Sequence, residues 1–406
     1  MTGRTLHVRP GEIREAGPGR LEIPARIRMP DGQTARLWYR VPADRRDALT
    51  RQADPFAIAM VLFAMASGAR LVVDGPVSPS LLANLEAYQE IWAFWKPGRY
   101  TRVPMEAERE TEAAPAAAPS FLAAFSGGLD ACYTVHRHVR GLAGRRTVDL
   151  AMAVMVEGFD IPLDDPAFPL AAESARRILH SVGLPMICVS TNWRMLGQQH
   201  GLNWEDSYGT AVVSALSLFS AGYRGALVAS NDSGYRATPS GATPLTDPLL
   251  GSCQFDVRHD GAAATRTEKA AALAAWPEAL RDLRVCWEGE DKSRNCGHCE
   301  KCVRTILNFR AAGFPPPPCF PGDISEEQIL AIPVRNAVQR EGLHSLLQHA
   351  CGHGQDSASW VAAVQRRLAA CDAPPAADGC LARLCDRARR RAGHALRRLT
   401  GRSARE

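Results

Sequence analysis

Four cysteines, Cys286, Cys296, Cys299 and Cys302, stand at C-x9-C-x2-C-x2-C spacing within 17 residues. Thiols so clustered point to a metal rather than to disulfides, with unliganded buried cysteines as the plain alternative. Four of them complete the tetrahedral shell of zinc and leave no open position, which marks a structural site. An iron–sulfur cluster is the competing use of the same ligands. His298 lies between two of these cysteines and is the worse ligand. Cys351, Cys371, Cys380 and Cys385 lack ligand spacing and read as packing residues.

A second candidate for chemistry is Ser126-Gly127-Gly128, which interrupts the apolar run 121–125 just before a helix-compatible segment opens at Leu129. A buried parallel strand that ends in two glycines and passes into a helix presents backbone N–H groups in a concave turn. The helix dipole adds positive potential there, and the result suits a phosphate. Gly-Lys-Ser/Thr is absent after the turn, so this is not the P-loop of kinases and GTPases. An ordinary strand-to-helix turn is the plain alternative.

Further candidates are weaker. Asp160, Asp164 and Asp165 are either magnesium or ribose contacts or a solvated acidic loop. The polar stretch 231–235, with Asp232 and Ser233, directly follows a strand and reads either as a ligand contact or as a turn. At 265–270, Thr265 or Thr267 caps a helix whose first turn carries Arg266 and Lys269. A cation there opposes the helix dipole, a cost that a bound phosphate would offset; a solvated surface charge is the alternative.

These residues need elements to hold them. From 121 the apolar pattern alternates strand and helix: strands at 121–125, 148–156, 186–189 and 226–229, helices at 129–141, 168–182 and 207–221. That predicts an α/β fold, a parallel sheet with helices on both faces, whose ligands sit beyond the carboxyl ends of the strands. Residues 126, 157–160, 191–192 and 231–235 fall there. Residues 1–110 predict a small α+β domain of unassigned role. It has strands at 21–29 and 35–41 joined by the hairpin signal Asp31-Gly32, helices at 45–66 and 79–95, and Trp92 and Trp95 as packing residues. A Pro- and Ala-rich linker follows at 111–119. The α/β unit with its cysteine knot spans 120–312, and 313–406 is a helical extension ending in an arginine-rich tail.

The chain has 406 residues, 46% hydrophobic and 22% charged, which is ordinary for a globular protein. Its net charge of +5 comes from the tail, where nine arginines fall between Arg383 and Arg405. The tail reads as a solvated helix rather than as a nucleic-acid or membrane contact, since no aromatics are interleaved. No signal-peptide core opens the sequence, and the uncharged run 207–223 is too short and polar to span a bilayer, so a cytoplasmic protein without a membrane partner is expected.

The loop Ser126-Gly-Gly-Leu-Asp130 together with the cysteine knot resembles the PP-loop ATP pyrophosphatase superfamily, and within it the 7-cyano-7-deazaguanine synthase family. The stretch 233–235 and Thr267-Glu-Lys-Ala270 are similar to further motifs of that family. The resemblance covers roughly 120–312. It implies an adenine nucleotide alpha hydrolase-like fold and an ATP-dependent carbon–nitrogen ligase that uses Mg2+ and adenylates 7-carboxy-7-deazaguanine or a related carboxylate. Ser126, Gly127, Gly128, Leu129, Asp130, Asp232 and Ser233 would bind the nucleotide. Lys269 and Arg266 would supply positive charge with Ser126 and Asp130 in the catalytic set, and the four cysteines would hold Zn2+. A protein acceptor presented by the N-terminal domain is a further implication, and a homodimer is compatible with it. This chain departs from the family at Ala131, where the pattern has serine, and at Glu157-Gly-Phe-Asp160 and Arg236-Ala-Thr-Pro239. A tRNA-modifying thiolase of the same superfamily and a non-catalytic nucleotide-binding scaffold are the alternatives.

Overall fold

The apolar run that ends at the glycine turn becomes the middle one of five parallel strands. The computed structural model describes residues 4–231, 235, 238–289, 291–335 and 337–372, and in it eleven strands form one mixed sheet. They are β1 (Thr5–Pro10), β2 (Arg14–Glu15), β3 (Arg20–Arg28), β4 (Thr34–Pro42), β5 (Arg70–Val77), β6 (Met105–Glu110), β7 (Ala118–Ala124), β8 (Leu150–Glu157), β9 (Met186–Thr191), β10 (Tyr223–Ala229) and β11 (Asp256–Asp260). In space the order is β11-β10-β7-β8-β9-β4-β3-β1-β5-β6, with β2 beside β3.

Strands β7 to β11 are mutually parallel. The chain winds from β7 through β8 to β9, then returns to the other side of β7 for β10 and β11. This reversal opens a crevice beyond the carboxyl ends of β7 and β10, the position where open α/β sheets bind ligands. The expected alternation ended at 229, yet β11 adds a fifth parallel strand. Its sequence, Asp-Val-Arg-His-Asp, has one apolar residue and no strand signature. Its counterpart β6, Met-Glu-Ala-Glu-Arg-Glu, is equally charged, and the two form the sheet's outer edges. Charged edge strands resist pairing with another sheet.

Helices cover both faces because successive strand residues point to opposite sides. Leu122, Met152 and Val154 join one core with α1 (Asp54–Ser67), α2 (Pro79–Trp95), α5 (Trp193–Gln199) and α6 (Trp204–Ser217). Their neighbours Ala123, Ala153 and Met155 join another with α3 (Leu129–Val139), α4 (Ala167–His180), α7 (Arg266–Leu273) and α8 (Pro277–Asp282). A third core gathers the knot cysteines with α9 (Glu300–Ala311), α10 (Glu326–Leu330), α11 (Ala337–Gly352) and α12 (Ser359–Asp372). The segment expected as one helix at 45–66 divides into a 3-10 turn at Ala43–Ala48 and α1, which carries proline in its first turn. Among the described residues no helix is long and apolar enough to cross a membrane. The run 207–223 contributes most of α6, packed between the sheet and α1.

Residues of the N-terminal segment continue the same sheet, and the first core runs from Leu6 to Val257. The join is antiparallel, β4 to β9, with Tyr39 opposite Thr191 and Arg40 opposite Ser190. It is extended by side chains that stand in for backbone. Asn192 Oδ1 accepts from Trp38 N at 2.9 Å and its Nδ2 donates to Arg36 O at 2.7 Å, while Thr191 Oγ1 donates to Trp38 O at 2.8 Å. Thr191 and Asn192, placed by sequence among the ligand-facing strand ends, thus bind the neighbouring strand. The Asp31-Gly32 hairpin forms as expected, with Gly32 at φ +87°.

Replacing Asn192 with Ala leaves the part-buried Trp38 N–H and Arg36 carbonyl without this partner, each worth roughly 1–2 kcal/mol. Urea denaturation should show Asn192→Ala less stable by about 2–4 kcal/mol; an unchanged midpoint would mean that this clamp does not hold the two parts of the sheet together.

Candidate functional site

The glycine turn lies in the crevice. Strand β7 stops, Gly127 takes φ +75°, and Gly128 in extended conformation precedes α3 without a side-chain cap. A Cβ on Gly128 would stand 3.2 Å from Ser126 Oγ and 3.4 Å from Arg284 O, so the turn has little room for a side chain. Ser126 is exposed and its Oγ accepts from Gly128 N at 3.3 Å. Leu129 is buried and packs into the second core, so its side chain anchors the helix start rather than facing a ligand.

Asp130, in the first turn of α3, gathers the cations. Its Oδ1 accepts from Lys269 Nζ at 2.8 Å and its Oδ2 from Arg266 Nη2 at 2.8 Å. Lys269 is 1% exposed and also donates to the carbonyl of Ser230, just past β10, at 2.6 Å. The lysine therefore spans the crevice from α7 to both α3 and β10. Burial alone would raise the Asp130 carboxyl, but the charges of Arg266 and Lys269 outweigh it and hold the group well below the usual carboxylate range. Thr265, one of the two expected caps, is the N-cap of α7 and forms a capping box with Glu268. Thr267 instead donates to Asn308 Oδ1.

Two partners were not found from sequence. Arg304 and Glu300 on α9 pair at 2.7 Å, both nearly buried. Burial pushes the Arg304 guanidinium down to about 10, and Asp130 acts against that shift. Arg266, Lys269 and Arg304 thus gather about Asp130 and Glu300 in a largely desolvated corner beside the turn. Cationic groups clustered in this way are the chemistry that recognises an anion. Arg304 follows the cysteine knot on an amphipathic helix, and only the packing of α9 against α7 brings it near the loop. Asp260, at the end of β11, fixes α3 from the other side: it accepts from Thr134 and Arg137 and pairs with His138.

The acidic candidates do not converge. Asp160 pairs with Arg194, Asp165 with Lys292, and Glu157 accepts from Ser190 and from the amide of Asp164. Asp165 also accepts from the amide of Ala167, where it starts α4. Asp232, Ser233 and Gly234 lie outside the described residues, as do Arg236 and the arginine-rich tail with Cys380 and Cys385. Cys351 is exposed rather than packed.

The cysteines of the knot do converge. The sulfurs of Cys286, Cys296, Cys299 and Cys302 all lie within 4.8 Å of one another, with Cys296 and Cys302 at 3.9 Å. A tetrahedron with metal–sulfur bonds of about 2.3 Å has edges of about 3.8 Å, so the group could hold a metal such as zinc. The amides of Cys296 and Cys299 donate to the sulfurs of Cys286 and Cys296 at 3.3 Å each. Gly297, at φ +79°, lets the chain turn between two ligands. Donation from Cys299 and then Cys302 holds the Cys286 thiol well below its ordinary range. His298 turns away and meets the carbonyl of Cys296. Among the described residues this is the one group of three or more His, Cys, Asp or Glu side chains placed to share an ion.

Compared with protein-family models, with curated proteins and with solved structures, the chain matches none.

Replacing Asp130 with Asn should leave the buried Lys269 charge without its partner, a loss on the order of 3–5 kcal/mol at pH 7. Because the folded carboxyl titrates below its unfolded value, its contribution is complete above about pH 4 and falls by about 1.4 kcal/mol per pH unit below that. Denaturation of both proteins at several pH values should show the gap narrowing only on acidification; a gap constant down to pH 3 would overturn the pairing.

Proposed function

We propose that the chain is an ATP-dependent carbon–nitrogen ligase of the PP-loop type, which adenylates a carboxylate with release of pyrophosphate. The observation that carries this reading is the cluster of Arg266, Lys269 and Arg304 around Asp130, directly beside a glycine turn at the reversal point of a parallel sheet. The β9-β8-β7-β10-β11 order agrees with an adenine nucleotide alpha hydrolase-like arrangement. In the proposed reaction a carboxylate oxygen attacks the α-phosphorus, the bond to the bridging oxygen breaks, and pyrophosphate leaves. Ammonia then attacks the acyl carbon and AMP departs, giving the amide. A second activation on the amide oxygen and loss of AMP with two N–H protons would give the nitrile, as in 7-cyano-7-deazaguanine synthase.

Charge develops on the departing pyrophosphate, and preorganised cations and N–H donors lower that barrier because they need not reorganise. Arg266, 19% exposed at its side chain, lies at the open edge of the cluster and would turn toward the phosphates. Lys269 and Arg304 set the potential from behind. Ser126, exposed in the turn, would contact the leaving group, with the amides of Gly127, Gly128 and Leu129 next to it. The residues do not fit a dedicated magnesium cage, since both Asp130 oxygens are occupied by cations; magnesium would travel with the nucleotide's phosphates. The cysteine knot would hold zinc in a closed, structural shell. That arrangement disfavours the thiolase alternative, which would use Cys-x2-Cys pairs as sulfur carriers, since zinc would occupy all four of these thiols. Ala131 and the occupied Asp130 favour a second reading, a nucleotide-binding scaffold without turnover. The substrate is placed by resemblance at 7-carboxy-7-deazaguanine or a related carboxylate, with attachment of a deazaguanine to a protein acceptor as the variant that the N-terminal strands would serve.

Zinc-loaded protein incubated with Mg-ATP, 7-carboxy-7-deazaguanine and ammonium should release AMP and pyrophosphate in step with an amide or nitrile. Ser126→Ala and Arg266→Ala should each lower the rate at least tenfold, the loss expected for one oxyanion donor or charge. Tight ATP binding with no AMP from any carboxylate or protein acceptor would replace the ligase reading with the scaffold.

A further inference from the structure

Between the glycine turn and the cysteine knot lies Arg284, which neither site's sequence pattern contains. Its backbone N–H donates to Gly127 O at 2.8 Å, the contact that closes the turn from outside the loop. Its side chain leads the other way. Nη2 donates to Cys286 O at 3.1 Å and to Lys292 O, both within the knot, and the guanidinium lies 4.1 Å over the Trp287 ring. Arg284 is 4% exposed, and its Nε and Nη1 are buried without a hydrogen-bond partner among the described residues. Asn295, inside the knot, clamps the same segment: its Oδ1 accepts from Val285 N at 3.0 Å and its Nδ2 donates to Leu283 O at 2.8 Å.

A buried guanidinium with two idle N–H groups is costly unless negative charge lies beside it. Four thiolates around a divalent ion carry a net charge of −2, and Cys286 is two residues away with Cys302 in the same cluster. We infer that Arg284 is the counter-charge of a metal–tetrathiolate centre and the strut through which metal occupancy orders the turn at Ser126–Gly128. Thiolates that are neutralised from outside the metal shell bind the ion more tightly, and partners of this kind are typically worth 10–100-fold in metal affinity. The segment 283–286 then passes the order of the knot to Gly127 through one backbone hydrogen bond. Its position makes Arg284 a positioning residue, and the inference rests on the reading that the knot holds a metal.

The test uses the full-length chain. Metal analysis comes first: zinc-loaded protein that keeps no metal after desalting overturns both the knot reading and this inference. With metal bound, competition against a chromophoric chelator should show Arg284→Gln releasing zinc at least tenfold more readily than the native chain, with Arg284→Lys between them. Hydrogen exchange on the native chain should then show faster exchange at residues 125–130 and at the Arg284 amide once zinc is removed, while the β3–β4 amides are unchanged. Equal zinc retention by a folded Arg284→Gln protein overturns the counter-charge role. Identical loop exchange with and without zinc overturns the strut. If Arg284→Gln does not fold, the exchange measurement on the native chain and the Arg284→Lys competition still decide.

Discussion

A lysine ammonium with a side chain 1% exposed has given up its hydration, and the fold must return that stabilisation through fixed partners. Lys269 obtains it from Asp130 and from the Ser230 carbonyl. Those partners belong to the first turn of α3 and the end of β10, while the lysine itself comes from α7. One charged group therefore ties together three segments that meet only where the strand order reverses. A displaced α7 would strand the ammonium; a displaced α3 would strand the carboxylate. The geometry of the crevice follows from this constraint more than from the apolar contacts around it, because those contacts are non-directional and the ion pair is not.

The same constraint explains how positive potential can survive in a buried corner. Isolated buried cations would be neutralised or excluded. Here Asp130 and Glu300 hold Arg266, Lys269 and Arg304 in place. The carboxylate oxygens are thus part of the site even though an anionic ligand would be repelled by them alone. Arg266 lies at the exposed edge of the cluster, whereas Lys269 is buried and held by two acceptors.

What could be read beforehand follows the range of the interactions. The glycine turn, the cysteine knot and the start of α7 are each encoded within a short run of residues and form where expected; of the two expected caps Thr265 emerges because its hydroxyl accepts from the amide of Glu268, in a capping box that was not foreseen. The parallel alternation was visible in apolar strands such as 121–125 and 226–229. It was invisible in β11, which lies on an edge where charge is tolerated, and in β6 for the same reason. Long-range pairings left no local trace. Nothing near residue 304 announces that α9 will lean on α7, and nothing near 192 announces that an asparagine will act as backbone for β4. The continuity of the sheet from β9 into β4 is of this kind, since the N-terminal strands carry ordinary hairpin patterns that any small domain might use.

The knot and the loop are separated by about 160 residues, yet the third core makes them neighbours by a short path. Cys286, Cys299 and Cys302 are packed with Val303, Ile306 and Leu307 of α9, against which Leu346 and Val364 of the last described helices close. A structural metal in such a centre contributes on the order of 10–16 kcal/mol, comparable to the whole stability of a typical domain, roughly 5–15 kcal/mol. The helix that such a metal would stabilise is the one that carries Arg304 and Glu300 to the loop. The cysteine cluster and the charged groups beside the glycine turn are therefore both set by one placement, that of α9, although the cysteines do not lie in the crevice.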